Sequence, residues 1–208
     1  MGKYEDRLAG FDWSIAEQEL DYHAGDQLNI GWHCTDRICQ QGKADKLALI
    51  FEGFGGIERE YTFNDLRLHT NTVGSFLRNL GLKPEDRICL FMDRIPELYF
   101  SFIGILKIGA IVQPLFSAFG EESLFVRLED AGTRAIITQR KYLSRIRKIA
   151  TRLNKLEFII VVDHQKDKEA ETNEIPFCLD DASPVENFEL YPSRAESPSV
   201  LHYTSGTT

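Results

Sequence analysis

Apolar residues recur along this chain in two alternating patterns: short unbroken runs, and longer segments with an apolar residue at every third or fourth position. The unbroken runs predict strands at residues 87–92, 110–115, 134–139 and 158–162. The segments between them have the spacing of amphipathic helices. Strands that alternate with helices form βαβ units, so the pattern predicts an α/β fold with a mostly parallel sheet and helices on both faces.

The helices between these strands have recognisable ends. Thr62, with Asp65 three residues later, is typical of a capping box, although Asp stands in place of the preferred Glu. Gly81 is suited to end that helix, and Pro96 to begin the next one. The later helices are expected at residues 96–108, 121–131 and 141–154.

Residues 1–61 do not follow this alternation. Asn29 is expected to cap a short helix whose apolar positions recur at every fourth residue, namely Ile30, Cys34 and Ile38. An apolar run at 47–51, a glycine-rich turn and a returning run at 58–62 predict a β-hairpin. We therefore expect four regions: an N-terminal extension with helix and hairpin (1–61), a βαβ core (62–164), a polar surface loop or linker (165–199), and a strand leading into a hydroxyl-rich loop (200–208).

The composition is that of an ordinary globular protein, with 43% apolar and 27% charged residues among 208. The 24 Lys and Arg residues are outnumbered by 32 Asp and Glu residues, which gives a net charge of −8. Because binding to a nucleic-acid backbone needs a basic stripe, we expect no nucleic-acid partner. The basic segment 141–155 invites a membrane or nucleic-acid role, but a solvated outer helix face is favoured in so acidic a chain.

The chain lacks the sequence features of secreted and membrane proteins. Ser101, Lys107 and Gln113 interrupt its longest apolar stretch, so no membrane span or membrane partner is expected, and no apolar signal segment follows the first residues. The cysteines, too few for a disulfide scaffold and wrongly spaced for zinc, are expected to be reduced and mostly buried: Cys34, Cys39, Cys89 and Cys178. These features predict a cytoplasmic protein.

Most catalytic motifs are absent from the sequence. It contains no Walker, zinc-protease or serine-hydrolase motif, and its five histidines are scattered over separate elements, so no metal site is expected. Adjacent carboxylates such as Glu121 and Glu122 point in different directions on a helix and form no acid–base pair. We therefore assign no catalytic residue and no metal ligand.

The most informative segment is a hydroxyl-rich turn that follows a short predicted strand. Its members are Thr204, Ser205, Gly206, Thr207 and Thr208. Hydroxyls and backbone N–H groups around a glycine can together bind the anionic oxygens of a polyphosphate. On composition alone, an ordinary surface loop explains such a cluster better.

Three segments resemble core motifs of the adenylate-forming superfamily, which comprises acyl-CoA synthetases, luciferases and peptide-synthetase adenylation domains. Residues 201–208 (LHYTSGTT) resemble the opening of its phosphate-binding motif, residues 104–115 (GILKIGAIVQPL) its second core motif, and residues 61–66 (YTFNDL) its first. Segments at 28–37 and 116–130 are similar to the acetyl-CoA synthetase branch and its short- and medium-chain relatives. The resemblance spans almost the whole chain.

The resemblance implies a two-step reaction on small-molecule substrates. ATP and a carboxylate form an acyl-adenylate and pyrophosphate, with Mg²⁺ as the usual cofactor, and coenzyme A then displaces AMP to give the thioester. It also implies that Thr204, Ser205, Gly206, Thr207 and Thr208 bind the β- and γ-phosphates of ATP. Acetate or another short- or medium-chain acid is the expected substrate.

The family motif continues with Gly-x-Pro-Lys-Gly, and other parts of the family's active site follow it. We therefore expect this chain to be an N-terminal fragment that binds no cofactor tightly and catalyses neither step. It is also expected to self-associate where later segments would cover it. Two alternatives stay open: a stand-alone, non-catalytic nucleotide-binding or scaffold domain with the same fold, and a relative that activates aryl or amino acids.

Overall fold

A parallel sheet of five strands lies at the centre of the structure, a computed structural model that describes residues 4–23, 25–163 and 173–204. The strands of these residues are β1 Leu47–Gly53, β2 Ile57–Thr62, β3 Arg87–Phe91, β4 Ile111–Pro114, β5 Ala135–Thr138, β6 Phe158–Val161 and β7 Glu174–Pro176. β1 and β2 form the expected antiparallel hairpin. The other five pair in parallel in the order β4-β3-β5-β6-β7, which confirms the predicted α/β fold.

Helices cover both faces of this sheet. In the described residues they are α1 Tyr4–Ala9, α2 Trp13–Leu20, α3 Ile30–Cys34, α4 Asp36–Ile38, α5 Phe63–Asn79, α6 Pro96–Lys107, α7 Glu121–Ala131 and α8 Leu143–Ala150. A π-helical turn, Cys39–Lys43, follows α4, and a 3₁₀ turn, Arg140–Tyr142, precedes α8. None of these helices is long and apolar enough to cross a membrane.

The side chains of β3 alternate between two hydrophobic cores. Ile88 and Leu90 pack with residues of α5 and α6, whereas Cys89 and Phe91 pack with residues of α7 and α8. Successive side chains of a strand point to opposite faces of its sheet, so one strand supplies both cores. All four side chains are at most 1% exposed, as expected for a strand with helices on both sides.

The predicted ends of the central helices are confirmed. The Asp65 N–H donates to Thr62 Oγ1 at 3.1 Å, and the Thr62 N–H donates to Asp65 Oδ2 at 2.8 Å, so the capping box is complete. Gly81 follows α5 with φ +83°, a left-handed conformation that glycine adopts without strain. Pro96 is the first residue of α6.

Asn29 caps α3 as predicted and also anchors it to α6. Its Oδ1 accepts from the Trp32 N–H at 3.2 Å. Its Nδ2 donates to the carbonyl oxygens of Leu106, Lys107 and Tyr191 at 3.0–3.2 Å. One buried amide therefore holds the N-terminal segment against the end of α6.

The predicted apolar face of this helix is wrong. Gly31 and Thr35 are buried, while Ile30 and Cys34 are exposed. A Cβ at Gly31 would lie only 2.6 Å from Lys107 Cγ, so the backbone of α3 approaches α6 too closely for a large side chain. Close packing thus selects small residues for the inner face and turns the apolar ones outward.

The cysteines are more exposed than expected. Cys34 and Cys178 are exposed, Cys39 is half-buried and Cys89 alone is buried; all four are free thiols. Burial raises the pKa of Cys89, which keeps its thiol protonated. The prediction of reduced thiols is consistent with this state, but the prediction of mostly buried ones is wrong.

The region predicted as a polar loop, residues 165–199, contains the edge strand β7. Its residue Glu174 has a side chain only 2% exposed, and Arg147 donates to both of its carboxylate oxygens at 2.7 and 2.8 Å. After β7, Phe177 stacks on Phe76 with ring centroids 4.1 Å apart. Because β7 contains a charged residue and a proline, the pattern of apolar residues did not predict this short strand. The preceding residues 164–172 lie outside the described part.

The basic helix α8 ends at Ala150, earlier than predicted, and its cations have protein partners. Besides the Arg147 contacts, they pair with the helix and loop before them: Arg145 with the carbonyls of Ser117 and Phe119, Lys148 with Glu121, and Arg152 with Glu122. Contacts between neighbouring elements therefore account for these four basic residues.

A buried lysine connects four segments of the chain. Lys107 is fully buried, and its Nζ donates to Asp36 Oδ2 at 2.6 Å and to Asn71 Oδ1 at 2.5 Å. Asn71 in turn donates to the Val185 carbonyl at 3.0 Å. Burial lowers the pKa of Lys107, and the Asp36 carboxylate opposes that shift.

Candidate functional site

The hydroxyl-rich segment is reached along the outer edge of β4. Val112 donates its N–H to the Ser199 carbonyl at 2.9 Å and accepts from the Leu201 N–H at 2.8 Å, so Val200 pairs with Val112 in a single parallel bridge. The predicted strand at this position is therefore one bridge long. Because it runs parallel to β4, it directs the following residues toward the carboxyl edge of the sheet.

Of the predicted phosphate-binding residues, the structure describes Thr204, which is exposed. Ser205, Gly206, Thr207 and Thr208 lie outside the described residues, so their proposed contacts stay a prediction. What the structure does describe is the approach to this segment and the residues that hold it.

Tyr203, directly before Thr204, is bound to α7. Its hydroxyl donates to Asp130 Oδ2 at 2.6 Å and lies 3.1 Å from the Arg127 carbonyl oxygen. Burial and the hydrogen bond to Asp130 raise the pKa of Tyr203 to about 12, so the phenol keeps its proton at neutral pH. The chain is thus fastened to α7 one residue before the hydroxyl cluster begins.

Arg127 lies between two aromatic rings beside this contact. Its guanidinium carbon is 4.4 Å from the centre of the Phe119 ring and 5.8 Å from that of Tyr203. One guanidinium nitrogen donates to the Ser123 carbonyl at 2.8 Å, while the buried Nε has no hydrogen-bond partner among the described residues. The Gln113 side chain of β4 donates to the Arg127 carbonyl at 3.0 Å and so ties α7 to the same strand edge.

Sequence reasoning found Tyr203 and the segment 127–130 only as parts of a resemblance, without roles. Asp130 and Tyr203 are 73 positions apart, and an exposed acidic residue on a helix gives no sign of a distant partner. Leu124 and Leu128 form the buried face of α7, and a pattern of apolar residues assigns no function to the polar residues beside them.

A second group of polar side chains lies where the strand order reverses. β3 is followed in the chain by β4 on one side and then by β5 on the other, and such crevices at the carboxyl edge commonly bind ligands. Here Asp93 accepts from the Lys141 ammonium and the Tyr142 hydroxyl, and its N–H donates to Gln139 Oε1 at 2.9 Å. Burial works to raise the pKa of Asp93, but these two donors outweigh it and lower that pKa.

A groove of about 610 Å³ extends from this group along the ends of β3 and β4. Its lining includes Asp93 and Arg94, which follow β3, and Phe116 and Ser117, which follow β4. The reversal of strand order could have pointed to this crevice once the sheet order was known, but the sequence pattern does not give that order.

Among the described residues, no group of three or more His, Cys, Asp or Glu side chains is placed to hold a metal ion. We therefore assign no Mg²⁺ ligand to these residues.

The chain is similar to known proteins over its whole length. A family model described as AMP-binding enzyme matches residues 36–208. The acetyl-coenzyme A synthetase of Bacillus subtilis (strain 168) is 35% identical over 211 residues, a match that covers 100% of this chain and 36% of that protein. The chain thus spans little more than a third of that relative's length.

Solved structures share the fold. An acyl-CoA synthetase from Brucella canis superposes with a TM-score of 0.87 and 25% identity, covering 100% of this chain and 37% of that one. An anthranilate CoA ligase in complex with anthranoyl-AMP superposes with a TM-score of 0.74 and 27% identity over 88% of this chain and 33% of that one. With a family model covering most of its residues, the chain belongs to the AMP-binding enzyme family.

Proposed function

We propose that this protein serves in the ATP-dependent, AMP-forming conversion of a short- or medium-chain carboxylate to its acyl-CoA thioester. The observation that carries the proposal is the parallel bridge at Val200, which directs residues 201–204 toward the carboxyl edge of the sheet within the region matched by the family. The likeness to an acetyl-coenzyme A synthetase over the whole chain supports acetate as the acid.

In the first step, a carboxylate oxygen attacks the α-phosphorus of ATP, the bond to the β-phosphate breaks, and pyrophosphate leaves. In the second, the sulfur of coenzyme A, after losing its proton, attacks the acyl carbonyl and AMP leaves. Mg²⁺, when bound, would neutralise phosphate charge. Both steps involve negatively charged phosphate groups, so hydrogen-bond donors must already be in position around the phosphate oxygens.

We assign that role to Thr204, Ser205, Gly206, Thr207 and Thr208. Their hydroxyls and N–H groups would donate to the β- and γ-phosphate oxygens, and Gly206 would let the backbone approach them. We assign no catalytic acid, base or nucleophile to this chain. ATP and coenzyme A as substrates support a cytoplasmic location.

The chain by itself is proposed to be inactive, because it spans about a third of its relatives. The test is acetate-dependent exchange of labelled pyrophosphate into ATP. It is measured on the 208-residue chain and on the same chain extended by the matching C-terminal remainder of the Bacillus subtilis acetyl-coenzyme A synthetase. We expect exchange from the extended protein only. Exchange by the chain alone would overturn the proposed inactivity, and a folded but silent extended protein would contradict the proposed function.

The alternative of aryl-acid activation has support of its own, since the anthranilate CoA ligase shares this fold. The full-length product of the gene distinguishes the two. AMP release is compared for acetate, hexanoate and anthranilate, and we expect the highest kcat/KM for one of the two aliphatic acids. A preference for anthranilate would favour the alternative, and nucleotide binding without AMP release would favour a non-catalytic domain.

A further inference from the structure

We propose that Tyr203 is a positioning residue for the phosphate-binding segment, acting through its hydrogen bond to Asp130 of α7. The proposal rests on the proposed function, because it assigns to this contact the task of fixing where the segment begins. Both side chains lie outside that segment: Tyr203 directly precedes it, and Asp130 belongs to α7.

The backbone gives the segment little support of its own. Leu201 donates to Val112 at 2.8 Å, and among the described residues no backbone–backbone hydrogen bond follows it along the chain. Thr204 is exposed. The last described contact before the hydroxyl cluster is therefore made by a side chain, that of Tyr203.

Tyr203 is held at both its ring and its hydroxyl. The ring packs at the margin of the core between the sheet and α7, and the Arg127 guanidinium faces it at 5.8 Å. The hydroxyl donates to the Asp130 carboxylate at 2.6 Å, a hydrogen bond to a charged acceptor. A phenol fixed in this way can hold its backbone, and hence the next residue, in one place relative to the sheet.

The anchor itself is fixed to the strand that guides the segment. Gln113 of β4 donates to the Arg127 carbonyl at 3.0 Å, and Thr133 donates to Gln113 Oε1 at 2.5 Å. β4 contacts Leu201 directly through Val112, and it contacts Tyr203 indirectly through α7. Two routes from one strand thus converge on residues 201–203.

The pair has a spectroscopic signature. Burial raises the pKa of Tyr203 most, and of the two charged groups that face the phenol, the Asp130 carboxylate raises it further and the Arg127 guanidinium lowers it, which gives a pKa of about 12. Ultraviolet titration of tyrosinate should show one phenol ionising near pH 12 that is missing in Tyr203→Phe. In Asp130→Asn this ionisation should move toward the ordinary value of about 10.

The positioning effect is measured by amide hydrogen exchange at Leu201, followed by NMR at neutral pH. Loss of the hydrogen bond in Tyr203→Phe should speed exchange at Leu201 about tenfold. Exchange in the interior of β5, at Ile136 and Ile137, should stay unchanged, which separates local loosening from global destabilisation. Asp130→Asn, an exposed substitution, serves if the phenylalanine variant does not fold.

Glu129→Gln is the matched control, since Glu129 is the exposed acidic neighbour on α7. It should leave both the titration and the Leu201 amide unchanged. Equal exchange at Leu201 in wild type, Tyr203→Phe and Asp130→Asn, or a tyrosine titration that neither variant changes, would overturn the proposal. Neither readout uses a nucleotide, so the positioning proposal and the proposed function can fail independently.

Discussion

Gly109 shows how one residue can fix the join between a helix and a strand. It follows α6 with φ +75°, and a Cβ there would lie 2.2 Å from Cδ1 of Tyr191. A side chain at this position meets two penalties, a left-handed backbone and a clash with an aromatic ring. We expect Gly109→Ala to lower the free energy of unfolding by about 3 kcal/mol or more, measured by urea denaturation.

Gly81 provides the matched comparison. Its φ is +83°, but nothing lies within 4 Å of the Cβ position. Gly81→Ala should therefore cost only the backbone strain, about 1–2 kcal/mol. Equal losses in the two variants would show that the Tyr191 ring moves aside freely, against the close packing described above.

His69 makes stability depend on pH in a defined direction. It lies between Tyr61 and Phe100, with ring centroids 5.7 and 4.6 Å away. Burial lowers the pKa of His69 more than Asp65 and Asp180 raise it. The unfolded chain therefore takes up a proton below pH ~6.5, the ordinary pKa of histidine, before the folded protein does, and the free energy of unfolding falls as the pH drops further.

The measurement is the free energy of unfolding between pH 7.5 and 5.5, with about 1.4 kcal/mol per pH unit as the largest slope a single proton can give. His69→Gln should reduce the slope. A part of the slope should remain, because burial also lowers the pKa of His33. Asn154→Gln, which places the same amide at an exposed position without a titratable group, is the control and should leave the slope unchanged. An identical slope in His69→Gln and wild type would contradict this account.

At the scale of elements, the Lys107 network joins α4, α5 and α6. Replacing the lysine by methionine keeps most of its volume but leaves Asn71 without its donor and Asp36 without its counter-ion. Asp36 is 19% exposed and also accepts from Thr35, so water and that hydroxyl offset part of the loss. We expect Lys107→Met to cost about 2–4 kcal/mol in urea denaturation.

Lys148→Met is the control for this substitution. Lys148 pairs with Glu121 between α8 and α7, but its side chain is 63% exposed. Because exposed ion pairs contribute little, this change should stay within about 1 kcal/mol. If both lysine substitutions had the same small effect, the buried pair would not be what joins these helices.

Local chemistry explains why some elements were predictable and others were not. Thr62 with Asp65, Gly81 and Pro96 mark helix ends by contacts within a few residues, so the sequence shows them directly. β7 contains a buried glutamate whose partner, Arg147, is 27 positions away, and no local pattern reveals such a pair. The inner face of α3 was likewise decided by its approach to α6.

At the scale of the whole molecule, the alternation of strands and helices was enough to predict the fold class. The sheet order was not predictable, because it depends on the side of β3 on which each later strand lies. The crevice lined by Asp93 follows from that order. For the candidate site, the sequence supplied Thr204 and its neighbours, while the anchor from Tyr203 to Asp130 required the folded chain.

The exposed apolar side chains of α1 and α2 bear on whether the whole molecule self-associates. Tyr4, Leu8 and Trp13 are 61–75% exposed, and α2 has no buried residue. We expect the chain to self-associate at these helices, with a sedimentation coefficient that rises with protein concentration. Trp13→Ser should weaken the association, and a wild-type chain that stays monomeric at all concentrations would contradict the expectation.

The central claim, that the hydroxyl-rich segment binds ATP phosphates, is tested most directly by acetate-dependent pyrophosphate exchange in the extended protein. We expect Thr204→Val combined with Thr207→Val to raise the KM for ATP by about tenfold or more, because hydrogen bonds to charged oxygens are lost. Thr151→Val, at an exposed threonine after α8, should leave it unchanged. An unchanged KM for ATP in the double variant would contradict the claim.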